Sequence, residues 1–98
     1  MSRLSQISAL RPSASQDITT SATSATVTNA FGGQTYCVRL SATAAVRFRV
    51  VEASGGTAVA TDTLLPPNWV DYVVVNPGQK IAAIQDSAAG KLNITEMV

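Results

Sequence analysis

The stretch VVVNPGQKIAAIQ, residues 73–85, decides how the chain is read. Three valines run into Asn76-Pro77-Gly78, and an apolar segment resumes with Ile81-Ala82-Ala83-Ile84. β-Branched residues favour a pleated strand, and Pro-Gly favours a tight turn. The reading is strand, turn, strand.

The same pattern spreads outward from that turn. Asp86-Ser87-Ala88-Ala89-Gly90 reads as a further turn, and residues 91–98 as a closing strand with Leu92 and Ile94 on one face. Upstream, residues 69–75 read as a strand entered from Leu64-Leu65-Pro66-Pro67-Asn68, a loop because two prolines cannot sit in a central ladder. A weaker strand is expected over residues 57–63, after the Ser54-Gly55-Gly56 break. Val46, Phe48 and Val50 alternate with Arg47 and Arg49, the cleanest period of two in the chain. Tyr36, Val38 and Leu40 alternate in the same way with Cys37, Arg39 and Ser41, after a turn at Gly32-Gly33.

Five or six short strands with turn signals every eight to twelve residues imply an all-β, antiparallel β-sandwich or small barrel. The short turns predict hairpin pairing between most sequence neighbours. The expected core is Val46, Phe48, Val50, Val74, Ile81 and Ile94, with Arg47 and Arg49 facing outward. Tyr36 and Phe48 are expected on core-facing sides, and Arg39 beside Arg47 and Arg49 if their strands pair.

The composition changes near residue 30. From Ser13 to Ala30, thirteen of eighteen residues are Ser, Thr or Ala, and only Ile18 and Val27 are larger aliphatics. Such a segment buries too little apolar surface to offset its ordering entropy, so residues 1–30 are expected as an extended arm and residues 31–98 as the body. Within the arm, Leu4, Ile7 and Leu10 recur every three residues between Arg3 and Arg11. That spacing lines one side of a short helix ended by Pro12. It serves either as an anchor for a partner or as a frayed terminus.

Chemistry is hard to find. The 98 residues contain no His and one Cys, with seven basic and six acidic residues. A disulfide framework within the chain is excluded, and a zinc cluster and general acid–base catalysis lose their usual groups. Cys37 sits in an apolar segment and reads as a buried structural thiol. Nucleophile motifs and phosphate-binding loops are missing, so no enzyme and no cofactor is expected. A net charge of +1 without a charge block calls for no nucleic acid and no membrane surface. Arg47 and Arg49 read as a solvated or subunit-contacting face. Trp69 reads as a plug at the sandwich end or as a partner-binding hot spot, and with Tyr72 it would suit a sugar platform. The opening MSRLSQISAL lacks the apolar run of a secretory signal, so Asn93-Ile94-Thr95 is expected to be an incidental sequon.

From about Thr35 onward the chain resembles a class of small virion proteins of tailed bacteriophages. The resemblance rests on the arginine-bearing strand, the Leu65-Pro66 loop, the turn Val75-Asn76-Pro77-Gly78-Gln79-Lys80-Ile81-Ala82 and the ending Gly90-Lys91-Leu92-Asn93-Ile94-Thr95-Glu96-Met97. It covers roughly two-thirds of the chain, and its motifs are turn and strand chemistry. It implies a β-sandwich, here expected to be of jelly-roll type, that decorates or cements a capsid shell. The implied partners are the major capsid protein and further copies of the chain, a trimer favoured. The implied location is the virion, after synthesis in the bacterial cytoplasm. A head-fibre, tail or adaptor component and a carbohydrate-binding module are the alternatives. Partner contacts are expected from Arg3, Leu4, Ile7, Leu10, Arg11, Arg47, Arg49 and Trp69.

Overall fold

The computed structural model describes residues 10–98, so the expected anchor residues Arg3, Leu4 and Ile7 lie outside the described residues. The described residues form eight strands and no helix: β1 (Pro12–Thr19), β2 (Ala25–Thr26), β3 (Cys37–Ala42), β4 (Val46–Val51), β5 (Thr63–Leu65), β6 (Val70–Val74), β7 (Lys80–Gln85) and β8 (Lys91–Met97). They make two four-stranded antiparallel sheets. One has the order β1-β8-β3-β6 and the other β2-β7-β4-β5. The protein is an all-β sandwich.

The core lies between the sheets. Val38 and Leu40 of β3, Leu92 and Ile94 of β8, and Ile18 of β1 meet Val46 and Phe48 of β4, Ile81 and Ala83 of β7, and Leu65 of β5. Val50 packs against this core from a half-buried position. Each fully buried Leu or Ile contributes roughly 1.5–3 kcal/mol. With so many small residues, the core depends on a few such side chains.

Several expectations are corrected. The segment read as a free arm through residue 30 supplies β1 and β2, one strand to each sheet. β1 is held by its ladder to β8, from Pro12↔Met97 to Thr19↔Lys91, β2 pairs with β7, and the segment's two large aliphatics, Ile18 and Val27, are both core residues. A Ser/Thr/Ala segment cannot fold alone but can be templated by a strand already in place. Pro12 begins that strand rather than ending a helix. Hairpins are also rarer than expected. Only β4 and β5 are sequence neighbours that pair; every other connection crosses between the sheets. The Asn76-Pro77-Gly78 turn is therefore a corner joining β6 of one sheet to β7 of the other.

That corner explains a third correction. Pairing of Cys37 with Val74 and of Arg39 with Tyr72 places Val70, Tyr72 and Val74 on the outer face of the first sheet. Val74, expected in the core, is 59% exposed, and its neighbour Val75 is buried instead. Tyr36, just before β3, is 52% exposed rather than core-facing, whereas Phe48 is buried. Arg39 lies in the first sheet and Arg47 and Arg49 in the second, so the three arginines do not form one group.

The expected strand over residues 57–63 and the loop from Leu64 exchange roles in part. β5 occupies Thr63–Leu65, with Leu65 buried. Residues 52–62 instead fold over the outer face of the second sheet, where Val51, Ala58 and Ala82 form a second small buried cluster backed by Ile84. This cover explains the unbroken apolar run Ile81–Ile84, because β7 is buried on both faces.

Candidate functional site

β6 is the last strand of the first sheet, so one side of it has no strand neighbour among the described residues. Its outer face carries Val70 (40% exposed), Tyr72 (51%) and Val74. Trp69, 61% exposed, stands at the head of the strand. The approach to Trp69 is held by Asn68, whose left-handed φ of 60° is tolerated by Asn, and whose amide donates to the Ala42 carbonyl at 2.8 Å. At the other end, the Val75 amide donates to the Tyr36 carbonyl at 3.1 Å, which brings Tyr36 beside the strand. The result is a strip of exposed aromatic and branched apolar side chains along a sheet edge. Exposed apolar side chains clustered in this way are the chemistry that a docking surface would use.

The backbone of β6 adds a second feature. The Val75–Tyr36 hydrogen bond sets the phase of the ladder, in which alternate residues face the partner strand. Asp71 and Val73 therefore turn their amides and carbonyls toward β3, and Val70, Tyr72 and Val74 turn theirs to the open side. There the Tyr72 amide donates to the Asp71 carboxylate at 2.9 Å. A charged side chain guards the middle of the open edge.

The two arginines expected to contact a partner are engaged within the chain. Arg49 makes a two-pronged pair with Asp62, Nε to Oδ2 and Nη2 to Oδ1 both at 2.9 Å. That hydrogen-bonded guanidinium, with help from the Val59 amide at 2.8 Å, holds the Asp62 carboxyl below its usual range, and the same contact raises the Arg49 guanidinium. Arg47 donates to Asp86 at 3.1 Å and to the Asp62 carbonyl at 3.3 Å. Both side chains face outward on β4, but they latch the covering loop and the corner after β7 instead of presenting free charge. Leu10 is half-buried and Arg11 exposed, and the backbone of Arg11 exchanges two hydrogen bonds with Val98, at 2.7 and 2.8 Å. This places Arg11 at the β1 edge, opposite the β6 edge where Trp69 stands.

Among the described residues, the expected contact residues are thus spread over three surfaces, and only Trp69 stands beside the apolar strip, next to Tyr72 of the alternative sugar platform. Val70, Val74 and Tyr36 were missed. The signal was present in the run Val73-Val74-Val75, because valine at both parities fits either a strand buried on both faces or an exposed apolar edge. Sequence alone does not separate the two.

Burial pushes the Cys37 thiol up, away from the reactive thiolate. Glu96 accepts hydrogen bonds from the Gly32 amide at 2.9 Å and from the Thr35 hydroxyl, which ties the loop before β3 to β8. Among the described residues, no group of three or more His, Cys, Asp or Glu side chains is arranged to hold a metal. No family model, curated protein or solved structure matches the chain.

Proposed function

We propose that the protein is a structural component of a phage virion: a capsid decoration, or cement, protein of jelly-roll type that binds between subunits of the major capsid protein. The observation that carries this reading is the exposed apolar strip of Val70, Tyr72 and Val74 along a sandwich edge, with the exposed Trp69 at its head. Trp and Tyr are the side chains that most often dominate protein–protein binding energy, because they bury large area at small entropic cost. The strand orders β1-β8-β3-β6 and β2-β7-β4-β5, with nearly every connection crossing between sheets, support the jelly-roll reading. The near-neutral charge suits many copies packed on one shell, where repulsion would otherwise accumulate. A trimer on the shell is the favoured state, and a head-fibre, tail or adaptor role is the nearest alternative.

The exposure of Trp69 and Tyr72 also favours a second reading, a carbohydrate-binding module with these two rings as the platform. One pair of assays separates them. Wild-type protein should pellet with capsid shells of the phage that encodes it, and Trp69→Ala combined with Val74→Ser should bind at least roughly ten-fold more weakly while keeping its circular dichroism. Failure of the wild type to pellet, or undiminished binding by the variant, sinks the cement reading. Sugar-specific binding on a glycan array that Trp69→Ala abolishes replaces it with the module.

A further inference from the structure

We propose that the open backbone edge of β6 is a strand-addition site, and that its occupant is residues 1–9 of a second copy of this chain. The inference concerns the backbone edge rather than the apolar face, and it stands whether or not the protein sits on a capsid.

The edge is suited to receive a strand. Among the described residues β6 pairs only with β3, and the backbone groups of Val70, Tyr72 and Val74 face the open side. An added strand would complete their hydrogen bonds, with its alternate side chains landing beside the apolar strip. The Asp71 carboxylate, now on the Tyr72 amide, decides which strand is accepted. Two β6 edges paired antiparallel about Tyr72 would set each Asp71 opposite Val73 of the other copy and displace both carboxylates from the Tyr72 amides, with no cation on the edge to receive them. Residues 1–9 carry Arg3, no acid, and the aliphatics Leu4 and Ile7. An arginine-bearing strand can draw the carboxylate off the amide and take its place.

Reach decides between a copy's own segment and a neighbour's. Residue 11 is fixed beside Val98 at the β1 edge, the opposite side of the sheet from β6. To lie beyond β6, a copy's own segment must cross four strand spacings, roughly 19 Å. Nine extended residues span at most about 30 Å, which leaves about three residues to pair with a five-residue strand. Leu4 and Ile7 would be spent on the crossing. A neighbour's segment has no such crossing to make. The contact joins different surfaces of each copy, so it closes into a ring such as a trimer when the rotation fits.

The test uses full-length protein followed by sedimentation from micromolar to sub-millimolar concentration, with hydrogen exchange at the Tyr72 amide. Wild type should associate as concentration rises, and exchange at Tyr72 should slow at least roughly ten-fold over that range. Leu4→Asp with Ile7→Asp removes the apolar part of the segment. Tyr72→Pro removes an outward amide at an edge where proline is tolerated; if that variant fails to fold, Val70→Lys with Val74→Lys blocks the edge by charge. Each variant alone should stay monomeric, and an equimolar mixture of segment and edge variants should associate again, since each supplies what the other lacks. A wild type that remains monomeric overturns the proposal, as does association untouched by the segment variant. Protection of Tyr72 that is independent of concentration assigns the edge to the copy's own segment and also overturns it. A monomer that still pellets with capsids overturns this inference alone.

Discussion

Two glycines show where the sandwich leaves no room for a side chain. A Cβ added to Gly90 would lie 2.7 Å from the Ala44 Cβ and 2.8 Å from the Thr43 Oγ1. The backbone there is also held by Thr20, whose amide donates to the Gly90 carbonyl and whose hydroxyl accepts from the Gly90 amide. Neither loop can retreat without breaking ladder hydrogen bonds. Gly90→Ala should therefore cost about 1–3 kcal/mol, and for a domain of this size each kcal/mol lowers the melting temperature by roughly 4–8 °C. At Gly56 the added Cβ would meet the Val51 Cγ1 at 2.6 Å, but Gly56 sits in the covering loop, which can lift. Gly56→Ala should accelerate amide exchange at Ala58 and leave the global melting temperature within a few degrees. Equal thermal losses in the two variants would mean that the covering loop is part of the main cooperative unit.

At the scale of one element, the covering loop of residues 52–62 is latched to the rest of the sandwich by side-chain hydrogen bonds. It is held by the Ala58 amide on the Ser24 hydroxyl, by the Thr26 hydroxyl on the Gly56 carbonyl, and by Asp62 on Arg49 and the Val59 amide. Asp62 has a depressed pKa in the folded state, so its ionised form is the one the fold favours. Its contribution is fully present above the ordinary aspartate value of 3.8 and is lost as the pH falls through the lower folded value. Because the pair is exposed, the effect should be local. Asp62→Asn should speed exchange at Ala58 and Val59 at pH 7, and the difference from wild type should vanish in strong acid, below the ordinary aspartate range. A difference that persists in strong acid would assign the latch to the loop backbone rather than to the carboxylate.

Across the whole molecule, the first and last strands of the described residues meet in one ladder. β1 and β8 pair from Pro12↔Met97 to Thr19↔Lys91, and β8 lies between β1 and β3. The fold is therefore complete only when residues far apart in sequence have met, and an all-β domain of such topology should fold in milliseconds to seconds. Truncation should have a sharp boundary. Removing residues 1–9 deletes none of the eight strands and should leave the melting transition in place at concentrations where the wild type is monomeric. Removing residues 1–19 strips a sheet edge and takes away Ile18, a loss of about 2–5 kcal/mol from that side chain alone. For a domain this small that approaches the whole stability. Thermal unfolding of the two truncations checks this, and a folded second truncation would restore the reading of residues 1–30 as an extended arm as far as residue 19.

Local patterning was enough to place β3, β4, β7 and β8 within a residue or so, to put Val46, Phe48, Ile81 and Ile94 inside, and to turn Arg47 and Arg49 outward. A period of two in β-branched residues reports one buried face, and that information is local. What lies on the far side of a corner is not local. Whether Asn76-Pro77-Gly78 joins paired strands or crosses between sheets depends on which strands β6 and β7 find as partners, and the turn residues suit both. The same dependence moved Val74 to the surface, because the ladder with β3 sets which parity of β6 faces the core. It also made strands of the Ser/Thr/Ala segment, whose ordering is offset by β8 and not by its own side chains. The exposed strip with Trp69 and Tyr72 exists for that reason. Composition determined that the chain has valines and aromatics to spare, but only strand pairing decided that β6 would be an edge and would carry them into solvent.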